Sequence, residues 1–88
     1  MRRIVSSPQF DKKLIKFLKK NPDLDGKINS VFRTLEKDVR HPALKTHKLH
    51  GILNKFYACT ITFQHRLVFD YDQDCVYPHT IGSHDDVY

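Results

Sequence analysis

Cysteine is scarce in this chain: Cys59 and Cys75 are its only two. Two thiols make no disulfide framework. Together with six histidines they match no strong zinc spacing pattern, so no metal and no cofactor is expected. No apolar run approaches the roughly 18 residues of a membrane span, which argues against a membrane partner. The opening Met1-Arg2-Arg3-Ile4-Val5-Ser6 has basic residues but no apolar stretch behind them, and it reads as mature protein rather than as a signal peptide. Repeats, linkers and low-complexity segments are missing as well. Lys and Arg are missing from residues 70–88, which hold five Asp and carry −5. Residues 1–69 hold all fifteen Lys and Arg against five acids and carry +10, giving the net +5 of the whole chain. A basic body of this kind suits a polyanion such as nucleic acid, or an acidic protein.

What is present fits one small domain. Eighty-eight residues fall between the smallest chains that fold alone, about 55–65 residues, and the common domain size of about 100–150. Hydrophobic residues at 40% and aromatics at 11% supply a compact core, which excludes disorder. At this size a large enclosed cavity is not expected, and a shallow surface site is.

Residues Arg3 to Ser6 read as a short strand. Ser7-Pro8 then starts a helix, with Ser7 as N-cap and Pro8 at the first helical position. Phe10, Leu14, Phe17 and Leu18 form its apolar stripe, and lysines 12, 13, 16, 19 and 20 its other face. Asn21-Pro22-Asp23 breaks it. Leu24, Ile28, Val31, Phe32 and Leu35 form a second stripe, so the two helices make a hairpin that ends at His41-Pro42. The second half changes period. Strands are predicted over Leu44–His50, Asn54–Phe63, Arg66–Tyr71 and Cys75–Ile81, with Gln64-His65 and Asp72-Gln73-Asp74 as connections. Along Arg66–Tyr71, Arg66, Val68 and Asp70 alternate with Leu67, Phe69 and Tyr71, which predicts a strand with two unlike faces. The tail from Gly82 to Tyr88 is expected to leave the sheet. The order gives an α+β domain, an N-terminal strand and helical hairpin packed on a mostly antiparallel β-sheet.

Three clusters have the residue types for chemistry. In Lys45-Thr46-His47-Lys48-Leu49-His50-Gly51, two histidines stand among lysines, with Lys55 close by. Imidazole moves protons near neutral pH, and lysines beside it hold phosphate. On a straight strand His47 and His50 point to opposite faces, so both serve one site only if the chain bends near Gly51. Alone, the cluster reads equally well as a solvated basic edge strand. Arg66, next to His65, can grip a phosphate bidentately, though an ordinary edge charge is its blander reading. In the tail, His84 offers an acid or a base, Asp85 and Asp86 favour its charged form, and Tyr88 offers a ring for stacking on a base. A frayed polar terminus is the alternative there. His41 and His79 read as structural, and Cys59 and Cys75 as core thiols. Together the clusters supply what metal-free RNA cleavage needs: a base for the 2′ proton, an acid for the leaving 5′ oxygen, and cations for the phosphorane.

The opening strand with its helical hairpin, the segment HKLHGILNKFYACTITFQHRLVFDY and the ending IGSHDDVY resemble the RelE/ParE toxin superfamily of bacterial type II toxin–antitoxin systems, nearer its YafQ-like branch. The resemblance covers nearly the whole chain as a single RelE-like toxin domain, 1–88. It implies a cytoplasmic endoribonuclease, an mRNA interferase that cuts mRNA in the ribosomal decoding site and is held inactive by a cognate antitoxin. Its partners would be that antitoxin, mRNA and the ribosome. The resemblance places the histidine of the terminal glycine-serine-histidine motif on His84 and the following aromatic on Tyr88. It places the histidine before the L-x-G turn on His47 and the strand arginine on Arg66. With His50, these are the expected catalytic residues, and Lys45, Lys48, Lys55, His65 and Asp85 are the expected RNA contacts. Ala58 and Thr60 stand where the founding branch has lysines. His65-Arg66 stands where the YafQ branch has an aspartate–tryptophan pair, and Ile61 where that branch has a histidine, so a histidine is the natural substitute as base. The alternative within the same fold is a ParE-like toxin that inhibits a topoisomerase by binding and cuts nothing. A non-catalytic nucleic-acid-binding module is the third reading.

Overall fold

The structure is a computed structural model and describes residues 1–87. It begins with a two-residue strand, β1 (Arg3–Ile4), and helix α1 (Pro8–Lys20). The Ser7 hydroxyl accepts from the backbone N–H of Phe10 at 3.1 Å, and Pro8 occupies the first turn, where its missing N–H costs nothing. A 3₁₀ turn at Pro22–Leu24 leads into α2 (Asp25–Lys37). Phe10, Phe17, Ile28, Val31 and Leu35 are buried, so both stripes face inward as their spacing predicts.

Four more strands follow: β2 (His47–Lys48), β3 (Tyr57–Thr60), β4 (His65–Tyr71) and β5 (Cys75–Ser83). They form one sheet in the order β1-β5-β4-β3-β2. Only the β1–β5 pair is parallel; the rest is an antiparallel meander. A short helix, α3 (His84–Val87), closes the described chain.

The α+β architecture is as expected, but several boundaries move. The first strand stops at Ile4, because beyond Ile4 and Val5 β1 has no partner on β5. The span 44–50 holds only a two-residue strand, since 3₁₀ turns at Pro42–Leu44 and Gly51–Leu53 take its flanks. Gly51 has φ +73°, a left-handed conformation that glycine adopts without strain. The apolar run at 54–63 leaves the ladder after Thr60, and His65 already belongs to β4. The tail stays: Gly82 and Ser83 pair with Arg66 and His65, and Val87 is buried.

Residues directly opposite one another share a face of the sheet. Tyr57, Cys59, Leu67, Phe69 and Ile81 lie on the face covered by α1 and α2, in a core with Phe10, Phe17, Ile28 and Leu35. Ala58 and Val68 lie on the other face, in a smaller cluster with Leu49, Val87, Leu53 and Phe56. Val68 is therefore buried too, between the half-buried Arg66 and Asp70, and the two faces of β4 are unlike, as its alternation predicts. Both thiols are buried, and desolvation pushes Cys59 up to about 12 despite the pull of Arg66.

Candidate functional site

The face away from the helices carries most of the candidate residues. In register, His47, Ala58, Val68 and Thr80 form one row across β2, β3, β4 and β5. Thr60, Arg66 and Gly82 form the next. His84 follows directly from the end of β5 at this margin, and its backbone N–H bonds the Gln64 carbonyl at 3.2 Å. On this face Ala58 and Val68 are covered by Leu49, Leu53, Phe56 and Val87, with His47 toward the β2 edge, Arg66 in the next row and His84 beyond the end of β5.

The histidines fall into two shallow pockets. His47 and His50 line one of about 310 Å³ with Lys48, Leu49 and Leu53. β2 ends at Lys48, so His50 is no longer bound to the strand alternation that would set it opposite His47. His47 Nδ1 lies 3.2 Å from the carbonyl oxygen of Lys45. A carbonyl can only accept, so the neutral ring carries its proton on Nδ1 and leaves Nε2 as a base. Lys45 presents that carbonyl from a left-handed conformation, φ 52°. His84 and Asp85 line the second pocket, about 370 Å³, with Phe63, Gln64, His65 and Ser83.

Other expected contacts have structural partners. Thr62 Oγ1 accepts from the backbone N–H groups of Gln64 and His65, and lies 2.8 Å from His65 Nδ1. Already accepting twice, the hydroxyl gives its own proton to Nδ1. The His65 ring also meets Phe17 edge-on at 5.1 Å, on the helix-covered face. Arg66 Nη1 donates to the carbonyls of Thr62 (2.7 Å), His65 (3.0 Å) and Phe63 (3.1 Å), so part of its fork holds the β3–β4 connection. Lys48 Nζ lies 4.9 Å over the Tyr57 ring, on the face opposite His47. Lys55 Nζ lies 5.1 Å over Phe56, whose ring stacks on His79 at 4.3 Å. His41 Nδ1 accepts from the backbone N–H of Ala43 and caps a 3₁₀ turn, as a structural histidine does. Tyr88, expected to stack on a base, lies outside the described residues. Among the described residues no three His, Cys, Asp or Glu side chains are grouped to hold a metal ion.

Sequence reasoning missed Phe63, placing it at the end of a strand. It sits in the connection after β3, with its ring in solvent. No polar residue type marks the end of β3 at Thr60, since Ile61, Thr62 and Phe63 are all strand formers.

No family model matches the chain, and no curated protein matches it. Solved structures do. A copper-bound mutant toxin from Helicobacter pylori is 28% identical, with a TM-score of 0.83 over 100% of both chains. YafQ from Escherichia coli is 17% identical, with a TM-score of 0.82 over 100% of this chain and 99% of that one. A YoeB–YefM complex from Staphylococcus aureus contains a chain 25% identical, with a TM-score of 0.76 over 96% of this chain and 98% of that one.

Proposed function

We propose, from the fold it shares with these toxins, that the chain is a RelE/ParE-type toxin of a type II toxin–antitoxin pair and an endoribonuclease that cuts mRNA in the ribosomal decoding site. One observation supports the catalytic part: His47 and Arg66 lie on the sheet face away from the helices, and His84 follows two residues beyond Gly82, the partner of Arg66. A surface that only binds needs cations. This one adds imidazoles, one of them with Nδ1 tied to a backbone carbonyl.

In the mechanism, a histidine takes the 2′-OH proton, the freed oxygen attacks the adjacent phosphorus, and a second acid protonates the leaving 5′ oxygen. A 2′,3′-cyclic phosphate remains. His84 is the residue at the scissile phosphate. His47 and His50, in a pocket of their own, are the alternative base, and the unspent edge of the Arg66 guanidinium stabilises the phosphorane. Lys45 and Lys55 line the path of the RNA backbone. The cytoplasm is the compartment where this substrate is found. The basic body, +10 over residues 1–69, is the surface an acidic antitoxin neutralises; the similar chain from Staphylococcus aureus was solved in complex with YefM.

Primer extension on a test mRNA after induction checks the reading. Discrete cuts with 2′,3′-cyclic or 3′-phosphate ends are expected. A 3′-hydroxyl end points to metal-assisted hydrolysis and removes this mechanism. Arrested replication with intact mRNA favours the topoisomerase reading instead.

A further inference from the structure

The connection between β3 and β4 leaves a large aromatic ring in water: Phe63 is 94% exposed. Single exposed apolar side chains are ordinary, so exposure alone carries no argument. The setting of this one does. The connection is bonded from both ends. Thr62 Oγ1 accepts from two backbone N–H groups on one side, and Arg66 Nη1 reaches three carbonyls, that of Phe63 included, from the other. A segment tied this way fixes the backbone from which the exposed ring projects.

The ring stands at the lip of the pocket of about 370 Å³ that contains His84. Among the described residues that line it, Phe63 has the one hydrocarbon side chain; Gln64, His65, Ser83, His84 and Asp85 are all polar. A protein-binding anchor is normally surrounded by further apolar contacts that exclude water. One ring among donors and acceptors suits a different ligand, a flat heteroaromatic whose faces are apolar and whose edge is polar.

We infer that Phe63 is the stacking platform for one unpaired nucleobase of the substrate RNA, next to the phosphate served by His84. The Gln64 amide and the Asp85 carboxylate meet the edge of that base. An amide offers both a donor and an acceptor, and a carboxylate accepts, so the pair favours a base with an exocyclic amino group. The inference rests on the ribonuclease reading and adds to it a source of base preference.

The test is single-turnover cleavage of a ribosome-bound test mRNA by the wild-type chain and by Phe63→Ala, Phe63→Leu and Phe63→Trp. The pattern of cut sites and the melting temperature are recorded for each. Base–aromatic stacking at the strength typical of single-strand binders predicts that Phe63→Ala slows cleavage at low enzyme concentration by roughly 5- to 100-fold and flattens the base preference beside the cut. Phe63→Leu keeps apolar bulk and loses the flat face, so it behaves like the alanine variant. Phe63→Trp restores rate and preference. Melting temperatures stay together, because the ring is in solvent. Equal rates and an unchanged preference for Phe63→Ala overturn the inference while leaving the nuclease reading standing. So does a leucine variant equal to wild type. A Phe63→Ala chain that cuts normally but no longer binds the product of its neighbouring gene makes the ring a protein anchor and overturns it too. If the wild-type chain cuts no mRNA, both readings fall.

Discussion

The two faces of the sheet are built from adjacent residues of the same strands, yet they differ in nearly everything else. On the helix-covered face, Cys59, Leu67, Phe69 and Ile81 join nine more buried residues in a continuous core. On the other face, only Leu49, Ala58, Val68 and Val87 are buried together. The first face concentrates stability. The second has just enough apolar floor to hold its shape, and its remaining positions carry His47, Thr60, Arg66 and Thr80, half-buried or exposed. A small domain has one core to stabilise it, so chemistry is confined to the face that core does not need.

The largest expected effect tests that division directly. Phe69 is fully buried under the helices, and Phe69→Ala removes its ring from a packed core, at a cost of about 3–5 kcal/mol. That is a large share of the roughly 5–15 kcal/mol that holds a domain together. Val68, next in sequence and equally buried on the other face, should cost about 2 kcal/mol as Val68→Ala, from two lost methyl groups and a small void. Urea unfolding of both variants measures the gap. Equal losses would mean the smaller cluster is as structural as the core, and the two-face picture would be wrong.

The complementary prediction concerns activity without stability. His84→Ala is expected to fold, to bind its antitoxin, and to lose about 10²–10⁴-fold in mRNA cleavage, as removal of a general acid or base does. His47→Ala and His50→Ala should each cost less, because the two rings line one pocket and one can partly stand in for the other. Wild-type cleavage by a folded His84→Ala chain would move the catalytic centre to the His47 and His50 pocket.

The helix-covered face was readable from the sequence in a way the other was not. The stripes Phe10–Phe17 and Ile28–Leu35 are local patterns, and Ser7-Pro8 marks a helix start within two residues. Val68, by contrast, is buried by Val87 and Leu49, nineteen residues away on each side. Periodicity along β4 carries no trace of them. The run from Asn54 to Phe63 has strand-forming residues throughout, but a strand ends where its partner's ladder ends, and that is set by pairing with β4. Among the candidate site residues, His47, His50 and His84 were legible as residue types, and their division between two pockets was not. It depends on where β2 and β5 end.

A smaller effect separates two glycines, neither of which has any atom within 4 Å of where a side chain would begin. Gly51, at φ +73°, directly follows His50, which lines the pocket with His47. Gly51→Ala should cost about 1–2 kcal/mol, since an L-residue is strained there, and should lower cleavage by disturbing that pocket. Gly26 lies inside α2, and Gly26→Ala should instead stabilise by about 0.4–1 kcal/mol through a less flexible unfolded chain. Thermal melts of the two variants that shift in the same direction would contradict the conformational argument.

The smallest expected effect is on pH dependence, and it sits where the second face meets α1. The bulge between Val68 and Phe69 makes His79 the extra residue of β5, and its ring stacks on Phe56. Partial burial lowers its pKa, and Lys13 and Lys55 lower it further by opposing the positive charge. The unfolded chain restores the ordinary value, near 6.5. Above that pH both states hold neutral imidazole, and the stabilising contribution is complete. As the pH falls through that value, the unfolded chain takes up a proton before the folded one does, and stability declines toward the folded pKa. Asp72 acts with the same sign in a lower window. Its carboxylate accepts from the backbone N–H groups of Asp74 and Cys75 and from the Tyr77 hydroxyl, which lowers its pKa, so its contribution is lost only below the usual aspartate range. The two windows make the groups separable. Denaturant midpoints measured from pH 8 to pH 5 should decline for the wild-type chain and decline less for His79→Gln, which keeps a planar polar side chain and does not titrate. Lys13→Gln and Lys55→Gln should each weaken the decline by removing an opposing charge. Because the His79 ring is largely exposed, the change is expected to be modest. A wild-type profile that is flat between pH 7 and pH 5, or one that His79→Gln leaves unaltered, would remove His79 as its source.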